Sequence, residues 1–557
     1  MRVTGIFLQV VGLSVCCELA FAQQPPTSGS QLQQIPAAPA LQKPAPEIRI
    51  QPEAAPAAPE SDQVKIVVKS LRVTGQTVYS EDALIAVMGF TPGSEMTLGE
   101  LRAMASKLSD FYHRNGYFVA QAYLPAQDIN NGAVTIAVLE GRYGRVTLRN
   151  QTNLSDRLAN LVLGDLGDGN AIAIAPLETR LLLLSDIPGV NVQSTLVPGT
   201  AVGTSDLLVD ITPGPRVSGS VDADNAGNRY TGYYRLGATV YLNDLTGYGD
   251  LLSLRALTST DGLNYGRAAW QAQVDRARFG VAYSALDYRL GREFASLEAN
   301  GTAKVASVYG SYALIRSRST NLSAQLAYDH RRFEDKVDST ASVTDKRANV
   351  WTASIGGDHR DALFGGGASS YSAAWTHGNL EIPSAGARAA DATTVRTAGQ
   401  YDKLGVNAMR LQGVTETFSM YAAVTAQYAS KNLDISEKIG LGGVDAVRAY
   451  PSGEAYGDNG YVLNIEARQT LPRYFDWLPG QMQAIAFLDN GMVRLNRDAY
   501  APGVNHRTLS GAGLGINWID VNDFVVRGYW AHKLGDAASS SAPDRKNRFW
   551  LQVSKFF

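Results

Sequence analysis

From about residue 215 to the C-terminus, apolar and polar residues alternate in short segments separated by Gly, Asn, Asp and Ser clusters. Phe418, Met420, Ala422, Val424, Ala426 and Tyr428 share one face, against Ser419, Thr425 and Gln427. Leu463, Ile465 and Ala467 oppose Asn464, Glu466 and Arg468. Leu514, Ile516 and Trp518 oppose Gly513, Gly515 and Asn517, and Phe524, Val526 and Trp530 oppose Arg527 and Lys533. A period of two marks β-strands, and the charges fall on the polar face each time. Sixteen strands would take about 21 residues each with their turns, which suits a membrane barrel crossed by ~9–11 residues per strand. A β-sandwich shows the same alternation, but this many strands would need several sandwiches, and no linkers between them are visible. The last segment, Asn547 to Phe557, keeps the pattern through Phe549, Leu551, Val553 and the terminal Phe557. Lys555 interrupts it, and at the rim its ammonium can reach water.

Residues 64–214 have another texture. Val64 to Val73 reads as a strand and Ser80 to Met88 as a helix. Thr97 to Glu100 has capping-box spacing and opens a longer helix with Leu98, Leu101, Met104, Leu108 and Phe111 or Tyr112 on one side. Asn115-Gly116 closes it. Tyr117 to Leu124 and Ala133 to Leu139 read as strands. The order is β-α-α-β-β, and it recurs more loosely. Arg145 to Leu148 is a strand, Asp156 to Leu163 and Leu177 to Leu184 are helices, and Val190 to Val197 and Leu207 to Ile211 are strands. Two copies of one small α+β unit precede the alternating region.

Before them, residues 23–62 are rich in Gln, Pro and Ala. Their prolines forbid a long helix, so a flexible, partly extended linker is expected, with one helical turn at most, over Gln31 to Ile35. Residues 1–22 read as a secretory signal, with Arg2 at its positive end, an apolar core from Ile6 to Val15 and a small-x-small site at Ala20-Phe21-Ala22. A lipid-modified Cys16 is disfavoured by Val15 before it. Both cysteines, Cys16 and Cys17, lie inside this segment, so the mature chain has no disulfide or thiol chemistry. No later run of ~18 apolar residues exists, so any membrane crossing must use a β-barrel.

Composition adds little. The net charge is −2 over 557 residues, which gives no basic footprint for nucleic acid. The 54 glycines and the excess of Tyr (26) over Phe (16) suit many turns and interfacial aromatic girdles. The six histidines are scattered without metal-ligand spacing, no Gly-x-Ser-x-Gly elbow occurs, and Gly511 to Gly515 is a glycine-rich strand rather than a phosphate loop. The expectation is no enzyme, no metal, no cofactor and no nucleotide.

The candidate chemistry is a charge pair. Gly442-Gly443-Val444-Asp445-Ala446-Val447-Arg448-Ala449-Tyr450 sits in a long connection, roughly 430–459, with one arginine among small residues. Alternation puts Phe487 and Asp489 on one strand face. If that face lines a lumen, Asp489 needs a cation, and Arg448 on an inward-folded loop can supply it.

In this order, these stretches resemble the outer-membrane transporters of two-partner secretion, similar to the haemolysin and filamentous-haemagglutinin secretion proteins of the Omp85 superfamily. The resemblance rests on Tyr112 to Tyr117, Leu124 to Ile129 and Leu139-Glu140-Gly141 in the first repeat. In the second it rests on Leu181 to Gly189, Leu196 to Gly199 and Gly203 to Leu207. In the barrel it rests on the arginine loop, Phe487-Leu488-Asp489 and the terminal Phe557. It implies two periplasmic POTRA domains, over 63–141 and 142–214, and a transmembrane β-barrel of 16 antiparallel strands over 215–557. The loop after strand eleven would fold into the lumen, where Arg448 bonds Asp489 of the Phe-x-Asp motif on strand thirteen. The family usually has Gly after that arginine; here it is Ala449. The family also commonly has an N-terminal helix that plugs the pore, to which the proline-rich 23–62 segment is poorly suited.

The implied function is recognition of one large partner protein in the periplasm and its secretion through the barrel. Outer-membrane lipid and the barrel-assembly machinery, which reads the Phe557 terminus, would be the other partners. An extended substrate segment could add to a POTRA edge strand, with Tyr117, Phe118, Val119, Tyr123 and Leu124 as the candidate edge; plain domain core is the competing reading of its aromatics. The alternatives are an Omp85-type assembly factor, which more often has three or five POTRA units, and a passive porin, which lacks them.

Overall fold

The computed structural model describes residues 25–39, 46–50, 65–164, 166–167, 169–473, 477–521 and 523–557. The expected signal at 1–22 lies outside the described residues, as does much of 23–62. The first described elements are a helix, α1 (Ser28–Gln33), and a strand, β1 (Glu47–Ile50).

The first repeat follows. β2 (Lys65–Val68) pairs antiparallel with β4 (Ser94–Thr97), while β3 (Ser70–Thr74), β6 (Ala133–Leu139) and β5 (Gln121–Tyr123) form a sheet in the order β3-β6-β5. α2 (Glu81–Met88) and α3 (Leu98–Arg114) pack on it. Thr97 caps α3: its Oγ1 accepts from the Glu100 N–H (3.2 Å), and the Glu100 carboxylate accepts from the Thr97 N–H (2.7 Å). Leu101, Leu108 and Tyr112 of α3 are fully buried against Val134, Ile136 and Val138, the alternate residues of β6.

Glu140, 3% exposed, ends this domain. It accepts hydrogen bonds from the Thr77 and Val78 N–H groups (2.7 and 2.8 Å) and the Tyr112 hydroxyl (3.0 Å). Burial alone would raise its pKa, but the bonds from Thr77, Val78 and Tyr112 hold it below the ordinary carboxylate value. A depressed folded pKa gives stability that is present above the unfolded pKa of ~4.3 and lost as pH falls through the folded value. Glu140→Gln is expected to destabilise residues 65–141 by ~1–3 kcal/mol at neutral pH, because an amide cannot accept all these donors. It should also flatten their loss of stability below about pH 4. Amide hydrogen exchange across 65–141 as a function of pH measures both effects.

The second repeat contains β7 (Arg142–Asn150), α4 (Asp156–Leu163), α5 (Ile174–Ser185), β8 (Val190–Pro198) and β9 (Thr204–Pro213). Its sheet order is β1-β8-β9-β7, so the N-terminal strand β1 adds in parallel to β8. Leu177, Leu181 and Leu184 of α5 pack on Val192, Leu207, Val209 and Ile211.

Sixteen antiparallel strands then close into a barrel. They begin with β10 (Val217–Asp224), β11 (Arg235–Asn243), β12 (Asp250–Ser259), β13 (Leu263–Val274) and β14 (Ala277–Arg289). β15 (Ala299–Arg316), β16 (Thr320–Val337), β17 (Ser342–Asp361), β18 (Gly367–Glu381), β19 (Gly399–Gly413) and β20 (Phe418–Ala429) continue it. A short surface helix, α6 (Ala385–Thr393), lies between β18 and β19. Inside the next connection a two-residue ribbon pairs β21 (Ile439–Gly440) with β22 (Tyr456–Gly457). β23 (Asn459–Thr470), β24 (Gln481–Arg494), β25 (His506–Asp520), β26 (Phe524–Leu534) and β27 (Asn547–Phe556) complete the wall. β27 closes on β10 with Gln552–Phe556 opposite Ser220–Asp224, and Gly219 and Phe557 exchange both backbone hydrogen bonds.

The alternation sorts as a lipid-facing barrel requires: Leu514, Ile516 and Leu551 are 58, 54 and 52% exposed outward, while Glu466 and Asp489 are buried inside. Both ends of the barrel lie at the rim that carries the POTRA pair. The second POTRA is fastened under that rim. The Arg316 guanidinium bonds both Asp186 oxygens (2.7 Å each), and Arg180 bonds Asp275 (2.8 Å). A cavity of about 640 Å³ opens at this junction, lined in part by Arg276, Arg278, Asn321 and Asp358.

The N-terminal segment corrects the expectation of a free linker. α1 starts three residues before the expected turn and sits inside the barrel, with Ser28, Ser30 and Gln31 at 0–1% exposure. Thr27 and Ser30 form its capping box. The Ser28 N–H donates to Asp335 (2.7 Å), Gln33 donates to the carbonyls of Ile435 and Lys438 (2.9 Å each), and Gln34 donates to Tyr456 (2.7 Å). Thr231 and Arg235 donate to Gln31 and to the Gln34 carbonyl (2.9 and 2.7 Å). Pro46 accepts from Arg318 in a periplasmic turn (2.8 Å), just before β1 joins the POTRA sheet.

Candidate functional site: an arginine loop inside the barrel

The connection from β20 to β23 leaves the surface rim and folds into the lumen. Two glycines permit the fold. A Cβ on Gly442 would lie 2.2 Å from the Pro451 carbonyl oxygen, and Gly443 has φ +117°, a conformation side chains resist. Ala449 is not left-handed, so the alanine in place of the family's glycine carries no backbone strain. The wall yields instead: a Cβ on Gly511 of β25 would lie 2.6 Å from the Ala449 methyl.

This places Arg448, 3% exposed, against the inner face of β23 and β24. Its Nε and Nη2 donate to the two oxygens of Asp489 (2.9 and 2.7 Å), and its backbone N–H reaches the same carboxylate (3.0 Å). Nη1 donates to Glu466 (2.7 Å). The guanidinium lies over the Phe487 ring, 3.5 Å from its centroid. Asn464 ties loop to wall by donating to both the Ala446 carbonyl and Asp489 (2.8 and 2.7 Å). Trp550 of the last strand donates its indole N–H to the Arg448 carbonyl (2.7 Å). Val447 and Tyr450 are fully buried, and Tyr450 donates to the Ala537 carbonyl (3.1 Å).

Arg448, Phe487 and Asp489, the residues expected from the sequence, are brought together by the fold. Glu466 was not among those expected. The signal was present, since Glu466 lies on the polar face of its segment, but only the register of β23 on β24, with Glu466 opposite Phe487, brings it to the guanidinium. Arg468 donates to its other oxygen (2.8 Å), so the cluster alternates charge.

The POTRA edge differs from the expected strand over Tyr117–Leu124. Only Gln121–Tyr123 is strand. Tyr117 and Leu124 pack on the first domain's core, whereas Phe118 and Val119 pack against the core of the second. The turn at Tyr117–Val119 therefore joins the domains, and of the candidate residues only Tyr123 stands on the free edge, 44% exposed.

Comparison with known proteins agrees with this architecture. Residues 203–518 match the family described as haemolysin secretion/activation protein ShlB/FhaC/HecB, and residues 66–141 match the ShlB-type POTRA domain. The chain is 29% identical over 483 residues to the heme/hemopexin transporter protein HuxB of Haemophilus influenzae, covering 86% of this chain and 84% of that one. It is 25% identical over 431 residues to the outer membrane transporter CdiB of Escherichia coli O6:K15:H31, covering 75% of this chain and 70% of that one. The structure of CdiB from Escherichia coli superposes with a TM-score of 0.70 at 21% identity, over 91% of this chain and 93% of that one. A closed sixteen-stranded barrel, a ShlB-type POTRA domain and a family match over more than half its length place this chain in the haemolysin secretion/activation family of outer-membrane transporters.

Proposed function

We propose that this outer-membrane transporter passes one large partner protein, unfolded or extended, from the periplasm to the cell surface, and that the Arg448 loop controls the passage. The observation that carries the reading is the Arg448–Asp489–Glu466 cluster. A buried, hydrogen-bonded ion cluster holds a surface loop inside the conduit that the partner would use. The POTRA pair lies beneath that conduit, and the 640 Å³ cavity at the junction is the proposed point of entry. Its lining, with Arg276, Arg278, Asp186, Asn321 and Asp358, suits polar extended segments. The free β5 edge, with Tyr123, is the proposed first contact for an extended partner segment. No enzyme activity is assigned. The proposed energy source is folding of the partner outside the cell, and the barrel-assembly machinery would insert the barrel through the terminal strand that ends at Phe557.

The test uses a large exported protein encoded beside this chain as the candidate partner. Cells expressing both should release the partner into the medium, and deletion of residues 65–213 should abolish that release while the barrel stays in the outer membrane. Immunoblots of medium and membranes measure this. Undiminished release by the deleted form would overturn POTRA recognition; unaltered solute flux with no partner release from the intact chain would favour a porin.

A further inference from the structure

The outer face of the barrel bears a charge pattern that neither the loop nor the POTRA pair uses. On β15, β16 and β17, at the half away from the periplasm, Lys304, Arg332 and Arg347 stand side by side: Lys304 is opposite Arg332, and Arg332 is opposite Arg347. All three are exposed. Their inward neighbours, Ala303, Phe333 and Ala348, are buried, which fixes the outward direction of the row. Like charges directly opposite on a sheet are destabilising. Among the described residues none of the three has an ion-pair partner, although Glu381 faces Arg347 across β18. The acids on β16 and β17 themselves are one step further from the bilayer: Glu334 pairs with Lys336 (2.7 Å), and Asp345 stands opposite Glu334.

The row is also pre-organised. Arg332 donates from Nε to His330 Nε2 (3.0 Å), and the other ring nitrogen of His330 bonds Asn349 (2.8 Å), which also accepts from the Tyr328 hydroxyl (3.0 Å). Tyr328 and Trp351 pack ring to ring at 4.9 Å, and Trp351 is 49% exposed outward. Such aromatics mark the interface of the hydrocarbon layer. The cations lie four residues further along each strand, roughly 10 Å higher once the strand tilt is counted. That height meets the headgroup layer. At ~4.8 Å between strands the three charges span about 10 Å.

We propose that Lys304, Arg332 and Arg347 form a binding site for the phosphorylated sugar headgroup of an outer-leaflet glycolipid. Phosphate oxygens would receive charge-assisted hydrogen bonds from the two guanidinium groups and the ammonium, relieving the repulsion within the row. The acyl chains would lie over the exposed Trp351 and Val308 and the half-buried Tyr328 below.

The test is native mass spectrometry of the full-length protein in detergent with bisphosphorylated lipid A, its dephosphorylated form, or inorganic phosphate. The wild type should retain the bisphosphorylated lipid on the order of tenfold better than the dephosphorylated one. The triple variant K304Q/R332Q/R347Q should lose that preference, whereas K555Q, which removes an outer-face cation at the opposite rim, should keep it. Heat-modifiable migration checks that the triple variant is folded; if it is not, R332Q alone carries the test, with a loss of about threefold. Equal retention of both lipids by the wild type, or retention by the triple variant, overturns the site. Saturation by inorganic phosphate as readily as by lipid overturns the glycolipid assignment.

Discussion

Replacing Arg448 by alanine is expected to cut partner export at least about tenfold while leaving an assembled barrel. The guanidinium makes three hydrogen bonds to Asp489 and Glu466 and stacks on Phe487; the backbone N–H adds a fourth bond to Asp489, which alanine keeps. Removing one partner of a buried ion pair costs ~3–5 kcal/mol, mostly because the other charge is left unpaired. Here two carboxylates on adjacent strands would lose their shared guanidinium, with Arg468 still bonded to Glu466 and Asn464 to Asp489. Water in the lumen lowers the figure to about half, still enough to release the loop from the wall. The ladder of backbone bonds around the barrel does not involve Arg448, so assembly should survive. Arg448→Lys keeps the charge but not the fork that grips Asp489, and should fall between wild type and alanine. Partner in the medium, normalised to heat-modifiable barrel in the membrane, measures the effect. Full export by the alanine variant would remove the loop from the mechanism. A double-mutant cycle with Asp489→Ala should show strong non-additivity.

Deleting residues 25–39 should raise the conductance of the barrel in planar bilayers several-fold. α1 lies in the surface half of the lumen, and six bonds tie it and Gln34 to Asp335, Ile435, Lys438, Tyr456, Thr231 and Arg235. At a net ~0.5–1.5 kcal/mol each, they total several kcal/mol. Ordering the backbone of about ten residues costs ~1–2 kcal/mol per residue, which is at least as large. The balance therefore depends on Leu32 and Ile35, which pack against the cluster of Tyr230, Leu263 and Phe333. Leu32→Ser with Ile35→Ser should reproduce much of the deletion, read as a larger and noisier current. Unchanged conductance in both variants would show that α1 does not obstruct the conduit.

The barrel was legible because lipid on one side and water on the other force a strict period of two, and no other solvent pair does so over sixteen segments. The Arg448–Asp489 pair was legible for a related reason, since a lone carboxylate on an inward strand face needs a cation. Glu466 was not, because a polar residue on a polar face looks ordinary until the pairing register is known. The N-terminal helix escaped because the usual hydropathy rule is reversed for a segment buried in a polar lumen. Ser28, Ser30 and Gln31 are its inside residues, and they read as linker. The strand expected from Tyr117 failed because tertiary contact overrode β-propensity. Phe118 and Val119 serve the joint between domains, and Gly141 comes so close to Val119 that a Cβ there would lie 2.4 Å from its methyl.

The periplasmic sheets end in short rails: three residues in β5, four in β1 and five in β3. The one long rim, β7, is interrupted by a register shift between Tyr143 and Val146. Brevity of this kind guards against sticking to stray chains. A visitor lying along three residues gains two or three main-chain bonds, no more than ~4 kcal/mol, which corresponds to millimolar grip. On the proposed edge docking, a client would therefore be held by valency, many extended stretches alighting in turn, each touch brief enough to let the polypeptide slide onward.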